Sequence, residues 1–171
     1  MPNWCKNNLR IKDNGEKTLE LLEYVKDEKG EFTMNKAVPM PKELEDTESP
    51  NTTSGEDRKK LIEKYGADNW YDWRCNNWGV KWDAGDSEFW KDGDDWMISF
   101  QTPWDPPCEF VKKLSAQFPK ITFILQFADE GIGSPPLGQC TFMNGEEVFE
   151  EPEDTETFSN DVWDEKWVEL D

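Results

Sequence analysis

WMISFQTPWDPPCEFVKKLSAQFPKITFILQFA, residues 96–128, reads as strand, helix, strand. In its first part Trp96, Ile98 and Phe100 recur at every second position, so they share one face of a strand. Pro106-Pro107 opens a helix, because proline suits the first helical turn, where its missing N–H costs nothing. The apolar stripe of that helix is Phe110, Val111, Leu114 and Phe118, and Pro119 closes it. Ile121, Phe123, Leu125 and Phe127 then alternate with Thr122, Ile124 and Gln126 in a second strand. The apolar Ile124 on the minority face implies cover on both sides of the sheet.

Working outward from this unit, Trp4–Lys12 alternates as a strand, with Cys5, Asn7, Leu9 and Ile11 on one face. Glu16–Lys29 is predicted as a helix on the stripe Leu19, Leu22 and Val25 with Leu21 beside it, stopped by Gly30. Pro41 opens a helical turn through Leu44, and 45–55 is an exposed loop rich in Thr, Ser, Asn and Pro. Glu56–Tyr65 is a further helix. Asp68 is the expected N-cap of a short aromatic turn, Asn69–Cys75. Val80–Asp83 is expected to be a strand, and Asp92-Gly93-Asp94-Asp95 the turn that precedes Trp96. Beyond the Gly/Pro loop 131–138, Asn144-Gly145 joins Gln139–Met143 to Glu146–Phe149 in a hairpin. With 31–78 set aside, the order is βαββαβ, the split ferredoxin-like unit. The expectation is an α+β fold: an antiparallel sheet with two helices on one face, a helical Trp-rich insertion at about 31–78 and a C-terminal hairpin. The domain is expected to span 1–150, followed by an acidic aromatic tail, 151–171.

The charge narrows the function classes. The chain of 171 residues carries 38 Asp and Glu against 19 Lys and Arg, a net charge of −19, with no His. Phosphate contacts need clustered Lys and Arg, so direct nucleic-acid binding is not expected. Without imidazole, Ser-His-Asp and Cys-His catalysis and His-containing zinc sites are excluded. Cys5, Cys75, Cys108 and Cys140 lack metal-finger spacing and are read as buried free thiols of a reducing compartment. No apolar run approaches the ~18 residues of a membrane span, and Met1-Pro2-Asn3-Trp4-Cys5 lacks the regions of a signal peptide. The expected location is therefore cytoplasmic. No catalytic residue, metal ligand or cofactor is assigned.

Two segments stand out as candidate binding sites. Between residues 69 and 83 lie Trp70, Tyr71, Asp72, Trp73, Arg74, Trp78, Lys81, Trp82 and Asp83, and Trp104 borders a nearby strand end. Such rings form either a groove for a peptide or cation, or a second small core that ties the insertion to the sheet. The tail is the other segment. Residues 146–171 hold 12 acids and one Lys, eleven of the nineteen net negative charges. Glu150, Glu151, Glu153 and Asp154 cluster at its start. Trp163 and Trp167, four apart, suit either a short amphipathic helix docked on the body or a segment that orders on a partner. Asp83, Asp86, Glu88, Asp92, Asp94 and Asp95 are read as a solvated rim, since EF-hand spacing is absent.

Pro2-Asn3-Trp4-Cys5 with Asn7-Asn8, Pro39-Met40-Pro41 with Glu43-Leu44, and Asn69-Trp70-Tyr71-Asp72-Trp73-Arg74 form an uncommon set. Asn77-Trp78-Gly79 with Lys81-Trp82-Asp83, and Thr102-Pro103-Trp104 before Pro106-Pro107, complete it. Together they resemble the YubB-like ferredoxin-like family, which includes Api-type phage proteins and plasmid-encoded relatives. The resemblance spans about residues 1–145. It implies a ferredoxin-like fold and a mobile-element origin, and carries over no catalytic residue. The acidic tail and Asp105 depart from the pattern.

The functional expectation is a non-enzymatic interaction protein of a mobile element. Its acidic surface engages a basic protein surface, in the stronger form as a nucleic-acid mimic. The alternative is a small-ligand or carbohydrate-binding module, or a carboxylate-dependent hydrolase, with Asp72, Asp83 and Arg74 facing a pocket beside Trp70, Trp78 and Trp82. The sheet face away from the helices also needs cover, which self-association could supply.

Overall fold

Alternation of side chains builds the centre of the molecule, which a computed structural model describes for residues 2–170. In β1 (Trp4–Ile11) Cys5, Leu9 and Ile11 enter the core. Ile98 and Phe100 join them from β3 (Asp95–Pro103), and Phe123, Leu125 and Phe127 from β4 (Phe123–Asp129). Leu9 lies opposite Ile98 on one side and Leu125 on the other, so three strands aim their apolar sets at one layer. β2 (Gly85–Asp92), β5 (Leu137–Met143) and β6 (Glu146–Glu150) extend the sheet to the order β2-β3-β1-β4-β5-β6, with every neighbouring pair antiparallel. The first four strands in that order form the ferredoxin-like unit, and β5–β6 is the expected hairpin. Asn144 and Gly145 both hold positive φ, 48° and 80°, as the two-residue turn requires.

Helices α1 (Glu16–Tyr24) and α4 (Cys108–Gln117) cover this core face with Leu21, Leu22, Phe110, Val111 and Leu114. The first helix is shorter than its periodicity suggests. After Val25 the chain turns back, because Asp27 Oδ1 accepts from the N–H groups of Lys29 and Glu31 and Lys26 pairs with Phe32. Its buried stripe is Thr18, Leu21, Leu22 and Val25, while Leu19 is 58% exposed on the opposite side. Within the insertion lie a 3-10 turn at Lys42–Leu44, α2 (Gly55–Tyr65) and α3 (Trp70–Asn77). The expected strand Val80–Asp83 is instead a turn, and β2 begins at Gly85. Asp83 explains the shift: its carboxylate accepts from Met34 N–H and Ala84 N–H, both at 2.8 Å, and from the Thr33 hydroxyl at 2.6 Å. A side chain that bonds its own neighbouring backbone competes with a strand ladder.

The second face of the sheet is covered by the chain itself. Helix α5 (Thr155–Trp163) and the segment through Leu170 lie on β1 and β4, where Phe158 and Val162 pack on Ala128 with Trp163, Val168 and Leu170 around them. This is the cover that Ile124 implies, and the tail supplies it within one chain. Lys6, Asn8, Arg10 and Gln126, positions that alternation alone assigns to solvent, are buried beneath it. Asn8 Nδ2 donates to Val162 C=O at 2.9 Å. Gln126 binds both backbone groups of Val168, at 2.6 and 3.1 Å. Buried polar groups need such partners, so the tail's backbone completes a polar sheet face. Among the described residues no helix is long and apolar enough to cross a membrane.

Candidate functional site

The Trp-rich segment separates into a buried half and an exposed half. Asn69 caps α3: its Oδ1 accepts from Asp72 N–H at 2.9 Å, and its Nδ2 donates to Asp72 Oδ2 at 2.9 Å. The cap therefore falls one residue after Asp68, whose carboxylate and carbonyl are engaged by Asn69 and Asn51. This places Trp73 and Trp78 in the main core, rings edge to face at 5.7 Å, with Trp78 Nε1 donating to Val38 C=O at 2.8 Å. They extend the sheet's own core into the insertion rather than forming a separate one. The Arg74 guanidinium lies against the rings of Trp70 and Trp78, at 5.2 and 5.3 Å, and donates to Lys81 C=O at 3.3 Å. Burial lowers its proton affinity, opposed by the charges of Asp83 and Glu45. Tyr71 meets Trp70 edge to face on the outer side of α3.

Lys81, Trp82 and Trp104 come together at the surface. Lys81 Nζ sits 4.3 Å from the Trp82 ring and 4.1 Å from the Trp104 ring, and Trp4 lies 6.3 Å from Trp82. Trp82 and Trp104 remain 39% and 45% exposed. Trp104 holds a left-handed backbone, φ 66°, with its N–H on Asn3 C=O, which turns the ring back over Lys81. A cation between indole faces is favourable, and here the protein's own lysine fills the cage. Of the carboxylates of the pocket reading, Asp72 Oδ2 accepts from Asn69 Nδ2 within the α3 cap, and Asp83 accepts from the Met34 and Ala84 backbone N–H groups.

At the tail the acidic residues converge. Glu150, Glu151, Glu153 and Asp154, joined by Glu169, line a groove of about 350 Å³ whose apolar lining is Pro152, Phe158, Val168 and Leu170. No Lys or Arg is among the described residues that line it. Asp154 caps α5 by accepting from Thr157 N–H at 3.0 Å and the Thr157 hydroxyl at 2.7 Å, and these bonds hold its carboxyl below the usual range. Trp163 and Trp167 lie outside the groove and anchor the tail. Trp163 Nε1 donates to Asp129 C=O at 3.0 Å, and Trp167 stacks on the Arg10 guanidinium at 4.5 Å.

Three residues that spacing did not single out, Lys6, Arg10 and Glu165, fasten this arrangement. Lys6 Nζ bonds Glu165 Oε1 at 2.8 Å; Arg10 bonds Asp92 and, at 3.0 Å, Asp95. Burial pushes the Glu165 carboxyl up, but Lys6, helped by Ser99 and Glu88, outweighs it and the net shift is downward. Asp95 shifts downward in the same way: the Asp13 N–H, Arg10 and Lys12 outweigh its burial. All four cysteines are free. Cys5 and Cys140 are buried, whereas Cys75 and Cys108 are partly exposed. The Cys108 and Cys140 sulfur atoms lie within 4.8 Å of each other, and this proximity together with burial pushes the Cys108 thiol up, while the Cys140 thiol shifts down.

A ferredoxin-like sheet, sealed on its second face by an acidic tail and carrying a tryptophan-laden insertion, defines the structural class. The chain belongs to the family of ferredoxin-like domains in Api92-like proteins, whose model matches residues 77–167. The matched span runs through α5, so the tail helix is part of the family's domain, beyond the reach of the resemblance seen in the sequence motifs. The fold is similar to the crystal structure of a protein api92 from Yersinia pseudotuberculosis, with a TM-score of 0.58 at 12% identity, covering 89% of this chain and 98% of that one. Among curated proteins no match is found.

Proposed function

We propose that this protein is an interaction module whose tail groove binds a basic segment of a partner protein. One observation carries the reading: five carboxylates, Glu150, Glu151, Glu153, Asp154 and Glu169, line one groove together with the half-buried Val168 and Leu170, and no cation is among the described residues that line it. Carboxylates in such a groove complement Lys or Arg flanking one or two apolar side chains. The apolar contact sets residence time and the charges set the rate of encounter. The net charge of −19 extends the attraction beyond the groove. In its stronger form the carboxylates stand where phosphates would on a nucleic-acid-binding partner. The resemblance to Api-type phage and plasmid-encoded proteins adds that such a partner belongs to the mobile element or its host.

The test is affinity capture from host lysate with the intact protein and with a Glu150→Gln, Glu151→Gln, Glu153→Gln variant. Asp154 is spared because it caps α5. A basic protein retained by the intact chain, lost by the variant and released as salt rises toward about 0.5 M supports the reading. Duplex DNA that displaces the same protein supports the mimic form. Capture that is indifferent both to salt and to the triple substitution overturns it.

A further inference from the structure

Sulfur and oxygen ligands meet at one place that the proposed groove does not use. Cys108 is the first residue of α4, Cys140 lies on β5 and Glu147 on β6. Their Sγ, Sγ and carboxylate oxygen atoms all fall within 4.8 Å of one another. Cys140 is buried, Cys108 half-buried and Glu147 exposed, so the cluster opens to solvent on the carboxylate side.

We propose that Cys108, Cys140 and Glu147 form a binding site for a thiophilic divalent cation, with zinc as the best fit. Zinc takes thiolate at ~2.3 Å and carboxylate at ~2.0–2.2 Å in a tetrahedron, which sets ligand atoms ~3.5–3.8 Å apart. From separations of up to 4.8 Å the three atoms therefore need to close by about 1.3 Å at most, and exposed Glu147 can swing to meet the ion. Two thiolates and one carboxylate select zinc over magnesium or calcium, which prefer oxygen shells. Three protein ligands leave the fourth position to water. On binding, the two thiols release their protons to solvent and the metal–sulfur bonds take their place, so affinity rises with pH. The ion would tie the start of α4 to the β5–β6 hairpin, two elements joined otherwise by apolar packing and by Gly145 N–H on Ser115 Oγ.

Cobalt(II) titration of the reduced full chain tests this. The expected result is one equivalent of bound cobalt, with a thiolate-to-cobalt charge-transfer band in the near ultraviolet and tetrahedral d–d bands in the visible, all bleached by zinc. Cys108→Ser and Cys140→Ser each cut the charge-transfer band by half or more, and the double variant removes it. Glu147→Gln, at an exposed position that folding tolerates, weakens affinity about tenfold or more. Cys5→Ser and Cys75→Ser leave the spectrum unchanged. Zinc raises the Tm of the wild type and not that of Cys140→Ser. Absence of a charge-transfer band in the wild type overturns the assignment, as does one that keeps its full intensity in Cys108→Ser or Cys140→Ser. Affinity unchanged in Glu147→Gln removes the carboxylate from the site.

Discussion

Glu165→Ala removes the carboxylate that holds the tail to the sheet. Its Oε1 lies 2.8 Å from Lys6 Nζ and 3.2 Å from Ser99 Oγ. The Lys6 side chain is 7% exposed and that of Glu165 is 32% exposed. Breaking a buried pair costs about 3–5 kcal/mol, because the remaining charge is stranded, whereas exposed pairs give about 1 kcal/mol or less. One partner is buried and the other is partly screened, so the expected loss is about 2–3 kcal/mol. Urea unfolding followed by tryptophan fluorescence reads it as a fall in midpoint of about 1 M, for a slope of about 2–3 kcal/mol/M. Lys6→Met in the same background removes the stranded ammonium and is expected to restore about half of the loss or more. A cost below about 0.5 kcal/mol for Glu165→Ala, or one to which Lys6→Met adds in full, refutes the account.

The same pair makes a pH prediction. The Glu165 carboxyl is held below its ordinary 4.5 in the folded state. Its folded value is the lower one, so its contribution to stability is complete above 4.5 and is lost as pH falls from there through the folded value. The wild type should lose stability steeply on the acid side of that point. Glu165→Ala should show a shallower acid limb, with Asp95 accounting for part of what remains.

Trp78→Phe keeps an aromatic ring in the core but deletes the Nε1 bond to Val38 C=O, and is expected to cost about 1–3 kcal/mol in chemical denaturation. Gly138→Ala sets a Cβ 2.3 Å from the Phe149 ring at φ 147°, with an expected cost of about 2–3 kcal/mol; Phe149→Ala in the same chain should relieve the steric part, read by Tm. Asn69→Ala deletes the α3 cap and should cost about 1 kcal/mol by thermal unfolding, with no effect on capture of a basic partner.

The sheet, the two helices on its first face and the hairpin were readable because their signals are local. Ile98, Phe100, Phe123 and Leu125 alternate, Pro106-Pro107 opens α4, and Asn144-Gly145 marks a two-residue turn. What escaped is non-local or is made by a side chain against its own period. Lys6, Asn8 and Arg10 have the pattern of a solvent face. Only the arrival of Val162, Glu165 and Trp167, more than 150 residues along the chain, buries them. Asp83 stops the expected strand through three hydrogen bonds to residues on both sides of it in space, one of which reaches back to Met34. The Trp cluster was visible as a cluster. The burial of Trp73 and Trp78 follows the α3 register that Asn69 sets, whereas Trp82 and Trp104 lie outside that helix and stay exposed. Cys108, Cys140 and Glu147 are brought together only by the pairing of β5 with β6 and the packing of α4 on them.

The placement of the scarce cations ties the fold to the proposed binding role. Lys6 and Arg10 are spent beneath the tail on Glu165, Asp92 and Asp95, and Arg74 and Lys81 are held against indole rings. Lys166, the one base of residues 146–171, lies 3.9 Å from Asp164. The described residues lining the groove offer the carboxylates beside Val168 and Leu170 no cation of their own. A cation supplied by another chain would meet Glu150, Glu151, Glu153 and Glu169 without displacing an internal bridge among the ion pairs of the described residues. Tail deletion must therefore do two things at once: abolish attraction at the groove and expose Lys6 and Arg10 on the sheet. The Glu-to-Gln variants, which leave the Lys6–Glu165, Arg10–Asp92 and Arg10–Asp95 bridges intact, separate recognition from folding.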